Sequence, residues 1–248
     1  LGLVKGDRVA VLSTNSIEYF EVYYACAMSG LIAQPINWRL SAEEIARIIE
    51  DGEPSVFICQ EEFLDLKNEV RASVQSDLTY LEYGAETDGS YEKLVTDASA
   101  EDLNLDIGGT DPALILYTGG TTGVAKGAML SHGNIISCIA QGRNHFAEHN
   151  NESETRLLIA PLPIYHIFGF TLYLCGNFAS GGRAVLIPNP RDLDGLLDVM
   201  RSVPFTEFAG VNTMLVGLMA NGKFDVVDWS NLKWTIAGGA ALVPDVAK

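Results

Sequence analysis

Residues 117–127 read YTGGTTGVAKG, a segment whose residue types can bind phosphate. The segment contains four glycines, three threonines and a single lysine, Lys126. Glycine adopts backbone conformations that other residues resist, so several amide N–H groups can converge on one anion. Threonine hydroxyls add hydrogen-bond donors, and the lysine ammonium supplies a compact positive charge. The segment therefore predicts a binding loop for a polyphosphate.

The residues on either side of this loop indicate how it is held. The apolar run 113–116 (ALIL) is typical of a buried strand, and residues 128–130 (AML) indicate a second strand. A Walker loop is excluded because Lys126 follows Ala125 and precedes Gly127, whereas that motif needs Gly-Lys-Ser/Thr at the start of a helix. The sequence also contains no GxGxxG dinucleotide motif. The residues favour a strand–loop–strand clasp for phosphate, and a glycine-rich hairpin turn without function is the alternative.

Charge and hydrophobicity exclude several classes of protein. Of the 248 residues, 48% are hydrophobic, as in a globular protein, and the net charge is −16. Residues 1–110 contain 21 acidic and 7 basic side chains, so this half repels nucleic-acid phosphates and predicts no nucleic-acid binding. The most apolar stretch, 164–180, is shorter than the roughly 20 residues that cross a bilayer as a helix. We therefore expect no membrane span.

Cysteine usage indicates a reducing compartment. The cysteines are scattered among apolar neighbours, and no CxxC pair occurs in the sequence. We therefore expect a cytoplasmic protein with reduced, buried thiols. The four cysteines are Cys26, Cys59, Cys138 and Cys175.

Predicted strands alternate with predicted helices along the chain, which is typical of an α/β fold with mostly parallel sheets and flanking helices. Ser41 and Glu44 have the spacing of a capping box before the helix 42–50. Residues 84–111 are polar and predict a surface connection with one short helix. We expect two linked α/β subdomains, 1–108 and 109–248. The predicted strands are 8–12, 31–36, 56–59, 113–116, 156–162, 183–188, 207–211 and 234–237, and later helices are 131–144, 168–179 and 192–201.

The loop segment and two further motifs agree with one family. The segment 117–134 (YTGGTTGVAKGAMLSHGN) resembles the phosphate-binding signature of the adenylate-forming superfamily, which includes acyl-CoA and aryl-CoA ligases, luciferases and peptide-synthetase adenylation domains. Residues 161–170 (PLPIYHIFGF) resemble its next motif, and 234–242 (WTIAGGAAL) resemble the segment that opens its adenine pocket. Residues 187–219 are most similar to bacterial long-chain fatty-acid–CoA ligases. The chain departs from many members at Gly119, Ala125 and Ala241, where Ser or Thr, Pro and Pro are common; the first two departures occur in the fatty-acyl branch.

The resemblance implies an ATP-dependent acid–CoA ligase. Such an enzyme activates a long-chain fatty acid as acyl-AMP with release of pyrophosphate, and then transfers the acyl group to coenzyme A. Its cofactors and co-substrates are ATP, Mg²⁺ and coenzyme A. The alternatives are an aryl-CoA ligase or another adenylation domain, a non-catalytic ATP- or acyl-binding module, and an ordinary phosphotransferase. A homodimer and peripheral membrane association are left open.

The resemblance also implies that this chain is the large amino-terminal portion of such an enzyme. The chain begins at Leu1 and stops at Lys248, inside what read as running elements. A small mobile carboxy-terminal domain that carries a catalytic lysine is expected outside it. We therefore expect this chain alone to be incomplete for catalysis.

By resemblance, the loop residues bind the phosphates of ATP, with Lys126 on the β- and γ-phosphates and Thr118 on the α-phosphate or Mg²⁺. His166 borders the acyl and thiol channels and orients the carboxylate or gates the thiol; from its apolar neighbours alone, it would be a core histidine. The implied catalytic residues are Thr118, Lys126 and His166. The other implied phosphate ligands are Gly119, Gly120, Thr121, Thr122 and Gly123.

Two further groups of residues receive roles from the resemblance. One group presses its backbone against adenine, and a tight strand-to-helix turn is the alternative. The second lines the acyl tunnel, and ordinary core packing is the alternative. The adenine group is Gly238, Gly239 and Ala240, and the acyl group is Phe168, Phe170, Val211, Thr213 and Met214.

Overall fold

A computed structural model of the chain describes residues 1–85, 89–119, 125–145 and 156–241. Strands and helices alternate through most of it, as the sequence predicts. The strands are β1 (Arg8–Leu12), β2 (Ile32–Ile36), β3 (Val56–Gln60), β4 (Thr79–Tyr83), β5 (Pro112–Thr118), β6 (Lys126–Ser131), β7 (Leu157–Ala160), β8 (Arg183–Leu186), β9 (Glu207–Gly210) and β10 (Trp234–Ala237). The helices are α1 (Ile17–Ser29), α2 (Ala42–Gly52), α3 (Leu64–Ser73), α4 (Ser90–Asp97), α5 (His132–His145), α6 (Ile167–Gly169), α7 (Asn177–Ala179), α8 (Leu193–Ser202) and α9 (Asn212–Met219), with a π-helix, Phe170–Gly176, between α6 and α7.

The strands form two sheets. The first has the order β4-β3-β1-β2-β5-β6, and the second has the order β10-β9-β7-β8. All strand pairs are parallel except β5 with β6, which is an antiparallel hairpin. The prediction of an α/β fold with mostly parallel sheets is confirmed.

Helix α2 shows how the local sequence builds the first unit. The predicted capping box is present: the backbone N–H of Glu44 donates to the Ser41 hydroxyl at 3.3 Å, and the Glu44 carboxylate accepts from the Ser41 N–H at 2.8 Å. The apolar face of the helix is buried, and it packs in one cluster with apolar residues of β1, β2 and β3. Burying that face supplies most of the helix's stability, because caps contribute only about 1 kcal/mol each. The large side chains of the buried face are Ile45, Ile48 and Ile49.

Two compact units, Leu1–Ser137 and Cys138–Lys248, divide the chain. This division lies inside α5 and not near residue 108, where the sequence suggests it. The reason is that β5 and β6 hydrogen-bond into the first sheet, so the chain after the polar connection returns to the first unit.

Some elements lie outside what the sequence pattern predicts. Helix α3 and strand β4 lie between the predicted strand 56–59 and the polar connection 84–111, where no element is predicted. Helix α9 reads NTMLVGLM, an apolar run whose periodicity does not separate a short buried helix from a strand. The run 168–179 is helical as predicted, but the residues Phe170–Gly176 are wound as a π-helix.

The second unit has its own core, and a partly buried ion pair joins two of its strands. Tyr173 from the π-helix is fully buried, and its hydroxyl donates to the carbonyl of Ala209 at 2.8 Å. Arg156, just before β7, forms a bidentate pair with Glu207, the first residue of β9. This pair joins the amino ends of the two central strands. Across the described residues, no helix is long and apolar enough to cross a membrane.

Candidate functional site

In the first unit, the predicted phosphate loop connects β5 to β6. Thr118 pairs directly with Lys126 across the hairpin, and both side chains are exposed. Directly opposed residues in an antiparallel pair project to the same face. The Thr118 hydroxyl and the Lys126 ammonium therefore project from one face of the hairpin, at the end where the loop connects the two strands. Gly119 is also exposed, with open space around its α-carbon.

The remaining loop residues, Gly120, Thr121, Thr122 and Gly123, lie outside the described residues, so their proposed contacts stay predictions. The strand–loop–strand arrangement itself is present, because both flanking strands are formed and paired. Lys126 forms no salt bridge to any carboxylate that the structure describes. The exposed ammonium of Lys126 can reach an anion at this end of the hairpin.

The oxygen ligands that the described residues offer indicate how a magnesium ion could be bound. Nowhere in the described ranges do three His, Cys, Asp or Glu residues gather into a metal site. Mg²⁺ usually keeps several waters and takes one or two protein oxygens together with substrate phosphates. The exposed Thr118 hydroxyl can be such an oxygen. The residues fit an ion held mainly by a triphosphate and not by a protein cage.

In the second unit, His166 lies in the connection after β7. It is exposed and forms the amino-terminal cap of α6, where its Nδ1 accepts from the backbone N–H of Phe168 at 3.2 Å. The core-histidine alternative is therefore wrong. Because Nδ1 is an acceptor in this cap, the neutral ring carries its proton on Nε2, which can donate to a carboxylate or a thiolate.

Loops after β7, β9 and β10 meet at the carboxyl edge of the second sheet. The Phe168 ring lies against Gly238, where an added β-carbon would be 2.5 Å from its Cε1. A β-carbon added to Gly239 would be 3.5 Å from Val211 Cγ1. Predicted adenine and acyl residues thus form one surface, although their roles stay predictions.

The other predicted acyl and adenine residues differ in exposure. Met214 is buried and close to Gly210, whose added β-carbon would lie 3.4 Å from the methionine sulfur. Phe170 is buried, so it contributes to the core of the unit. Thr213 and Ala240 are exposed.

The topology of the second sheet explains why this edge can hold a ligand. From β7 the chain moves to β8 on one side, whereas β9 and β10 lie on the other side. In open parallel sheets, ligands bind outside the carboxyl ends of the strands, where the connections diverge in this way. Here that point lies between β7 and β9, and the segments that follow these strands contain His166 and Val211.

An apolar cavity of ≈ 330 Å³ lies beside α9. Aromatic and aliphatic side chains line it, and Thr235 is the one polar member of the lining. Pockets lined in this way suit apolar ligands. The lining residues are Phe208, Leu215, Leu218, Met219, Phe224, Trp229, Leu232 and Thr235.

Two residues at these sites are missed by sequence reasoning. The Asn212 side-chain amide donates to the carbonyl of Ala241, which ties the start of α9 to the segment after β10. Asp51, at the end of α2, accepts a hydrogen bond from Tyr117, the residue before Thr118. A polar residue directly after a buried strand is a signal for Asn212. No local pattern indicates a role for Asp51, because its partner Tyr117 is 66 positions away in the sequence.

The thiols are reduced but not all buried. All four cysteines are free. Burial raises the pKa of the Cys26, Cys59 and Cys175 thiols to about 12, so these groups are poor nucleophiles at neutral pH. The prediction of buried thiols holds for Cys26 and Cys59, but Cys175 is only half-buried. It is wrong for Cys138, which is exposed because α5 has no buried residue.

Comparisons with known proteins identify the family of this chain. The AMP-binding enzyme family profile matches residues 1–248. A long-chain-fatty-acid–CoA ligase from Haemophilus influenzae is 30% identical over 99% of this chain and 49% of its own length. A feruloyl-CoA synthase from an Amycolatopsis species is 31% identical over 99% of this chain and 47% of its own length. The chain thus spans about half the length of these curated relatives.

Solved structures show the same fold. The inhibitor-bound amino-terminal domain of FACL13 from Mycobacterium tuberculosis superposes with a TM-score of 0.86 at 25% identity, covering 99% of this chain and 60% of that one. ATP-bound MatB from Rhodopseudomonas palustris superposes with a TM-score of 0.83 at 29% identity, covering 99% of this chain and 47% of that one. With a family match over its full length, this chain belongs to the AMP-binding enzyme family.

Proposed function

We propose that the protein containing this chain is an ATP-dependent acid–CoA ligase whose substrate is a long-chain fatty acid. One observation carries the proposal: Thr118 and Lys126 emerge together, exposed, at the mouth of a loop rich in glycine and threonine. The family match over the whole chain and the fatty-acid ligases among its relatives support it.

The proposed reaction has two steps. A carboxylate oxygen attacks the α-phosphorus of ATP, the bond to the bridging oxygen of pyrophosphate breaks, and acyl-AMP forms. The sulfur of coenzyme A then attacks the acyl carbon, AMP leaves with the electron pair of the broken bond, and the thiol proton passes to solvent. The first step brings several negative charges together, so it depends on positioning and on preorganised positive potential.

The chain's own residues supply that positioning. Lys126 holds the β- and γ-phosphates, assisted by the loop amides and by the hydroxyls of Thr121 and Thr122. Thr118 donates to the α-phosphate or ligates Mg²⁺, which when bound neutralises part of the triphosphate charge. His166 orients the acid through Nε2–H. Gly238, Gly239 and Ala240 form the adenine platform.

Features of the second unit support an apolar acid. Phe168, Val211 and Met214 lie at the carboxyl edge of its sheet, and the apolar cavity beside α9 offers space without charged groups. An alkyl chain gains about 0.8 kcal/mol for each buried methylene. An aromatic acid is the second candidate, because a feruloyl-CoA synthase is as similar to this chain as the fatty-acid ligases are.

We also propose that the enzyme acts in the cytoplasm, since four free thiols suit a reducing compartment. A homodimer and peripheral membrane association stay predictions.

Acid-dependent exchange of labelled pyrophosphate into ATP tests the function in the full-length gene product. Hexanoate, decanoate, palmitate, benzoate and ferulate are supplied in turn, and nucleotide products are separated in the presence of coenzyme A. We expect exchange to be strongest with palmitate, and AMP to be the nucleotide product. Activity confined to benzoate and ferulate would establish the aryl alternative. ATP binding without exchange would indicate a binding module, and ADP would indicate a phosphotransferase.

A further inference from the structure

We propose that Tyr117 and Asp51 are positioning residues for the ATP phosphates, acting by holding the strand end from which Thr118 emerges. The inference rests on the proposed function, because it concerns the same loop. It adds two residues to which neither the phosphate motif nor the relatives assign a role.

The first observation is a long-range hydrogen bond. The Tyr117 hydroxyl donates to Oδ2 of Asp51 at 2.6 Å, across 66 positions of sequence. Tyr117 is the penultimate residue of β5, and Asp51 lies in the last turn of α2. The bond therefore ties the end of the loop-bearing strand to a helix packed in the first core.

The position of Asp51 is locally unfavourable, which makes this bond informative. A carboxylate near the carboxyl end of a helix opposes the helix dipole, and the last turn of α2 has no basic residue. Arg8 of β1 supplies the positive charge that this helix end lacks, because its guanidinium donates to the carbonyls of Gly52 and Glu53. Residues that break a local rule are often found at functional sites, where another requirement outweighs the cost.

Gly127 completes the arrangement on β6. It pairs with Tyr117, and an added β-carbon would lie 2.9 Å from Ile115 Cγ2 and 3.2 Å from Tyr117 Cζ. The tyrosine ring therefore covers the position where a side chain of residue 127 would project. A glycine here lets the ring lie against β6 and reach Asp51.

The ring and the ligand-binding groups lie on opposite faces of the hairpin. Side chains alternate along a strand, so Tyr117 projects toward the first core while Thr118 projects to the other face with Lys126. Fixing the ring restricts the backbone that presents these two groups. Burial and the nearby Asp51 carboxylate raise the pKa of Tyr117, so the hydroxyl remains a donor at neutral pH.

Kinetics of the full-length enzyme test the inference with Tyr117→Phe, Asp51→Ala and Asp51→Asn. We expect Tyr117→Phe to raise the KM for ATP about fivefold to tenfold, which corresponds to the net contribution of one typical hydrogen bond. The KM for the acid should stay within about twofold. Asp51→Asn keeps an acceptor and should have a smaller effect than Asp51→Ala. The KM for ATP of the double variant Tyr117→Phe/Asp51→Ala should be no higher than that of Tyr117→Phe, since the two substitutions remove the same hydrogen bond.

Tyr91→Phe is the matched control. The Tyr91 hydroxyl donates to Oε2 of Glu21 at 2.8 Å, so the same atom is deleted from the same kind of bond, away from the hairpin. Both tyrosine variants should lower the melting temperature by similar amounts, but only Tyr117→Phe should change the KM for ATP. Equal KM values for ATP in the two variants would overturn the inference.

Calorimetric binding of MgATP separates this inference from the proposed function. If the wild-type protein binds MgATP but lacks pyrophosphate exchange, the proposed function fails, and weaker binding by Tyr117→Phe than by Tyr91→Phe still supports the positioning role. Equal dissociation constants would overturn it. A wild-type protein that binds no ATP would overturn both.

Discussion

The ring of Phe168 lies so close to the backbone of Gly238 that a β-carbon there would be 2.5 Å from Cε1 and 2.6 Å from Cζ. These residues are 70 positions apart, and each belongs to a separate motif in the sequence. One motif follows β7, and the other consists of β10 and the residues directly after it. Their contact makes the two motifs parts of one surface at the edge of the second sheet.

Gly238→Ala should destabilise the protein. The new methyl group meets a rigid aromatic ring and not the end of a flexible side chain, so the ring or the strand end must shift. We expect the free energy of unfolding to fall by about 1–3 kcal/mol, the usual cost of overpacking. Urea unfolding monitored by circular dichroism measures it.

Gly142→Ala is the control for this substitution. Gly142 lies in α5 with no atom within 4 Å of an added β-carbon, so alanine there should be neutral or stabilising by up to about 1 kcal/mol. Adding Phe168→Leu to Gly238→Ala should recover part of the loss. If Gly238→Ala is as stable as Gly142→Ala, the Phe168 contact is not as the structure describes it.

Lys126→Ala in the full-length enzyme should slow the formation of acyl-AMP more than the transfer of the acyl group from preformed acyl-AMP. The charge of Lys126 acts on the phosphates that leave in the first step, and groups of this kind contribute about 100-fold or more. Rapid-quench measurement of each step separates the two rates. Lys93→Ala, which removes an exposed lysine of α4, should leave both rates unchanged. Equal slowing of both steps by Lys126→Ala would show that the lysine has another role.

Asp111→Asn should make the melting temperature fall less steeply as the pH is lowered. The hydrogen bond from Lys5 and that from the Gly108 N–H lower the pKa of the Asp111 carboxyl. Its contribution is therefore present above the unfolded value of about 3.9, and it is lost as the pH falls through the lower folded value. Asp111→Asn should melt below the wild type at about pH 6, and this difference should shrink toward about pH 3.

Asp77→Asn, at an exposed carboxylate, is the control for the acid response. Its melting temperature should follow the wild type at both pH values. A constant gap between Asp111→Asn and the wild type across this range would contradict a role for the Asp111 charge.

Thiol labelling should distinguish Cys138 from the other cysteines. A thiol with a pKa of about 12 is ionised in only roughly one molecule in 100,000 at pH 7. Burial also keeps the reagent from Cys26 and Cys59, and partial burial restricts its access to Cys175. We expect one thiol of this chain to react rapidly with Ellman's reagent and the other three to react only after unfolding. Cys138→Ser should remove the rapid phase, and a rapid phase that persists in this variant would contradict the low reactivity of the other three thiols.

Local patterns in the sequence determine much of what is found here. The capping box of Ser41 and Glu44, the alternation of strands and helices, and the strand–loop–strand form of the phosphate segment depend on residues a few positions apart. Such interactions can be read from spacing alone, because caps and hydrophobic periodicity act within one element. The motif at 117–134 likewise identifies the family from contiguous residues.

Tertiary structure decided what depends on distant residues. The division after Ser137 follows from β5 joining β2, and the contacts of Phe168 with Gly238 and of Tyr117 with Asp51 follow from which strands and helices are neighbours. Spacing also suggests a core histidine at position 166, but the residue is an exposed cap because the chain turns into α6 there. The order of strands in a sheet is set by packing of the whole unit, and no local pattern encodes it.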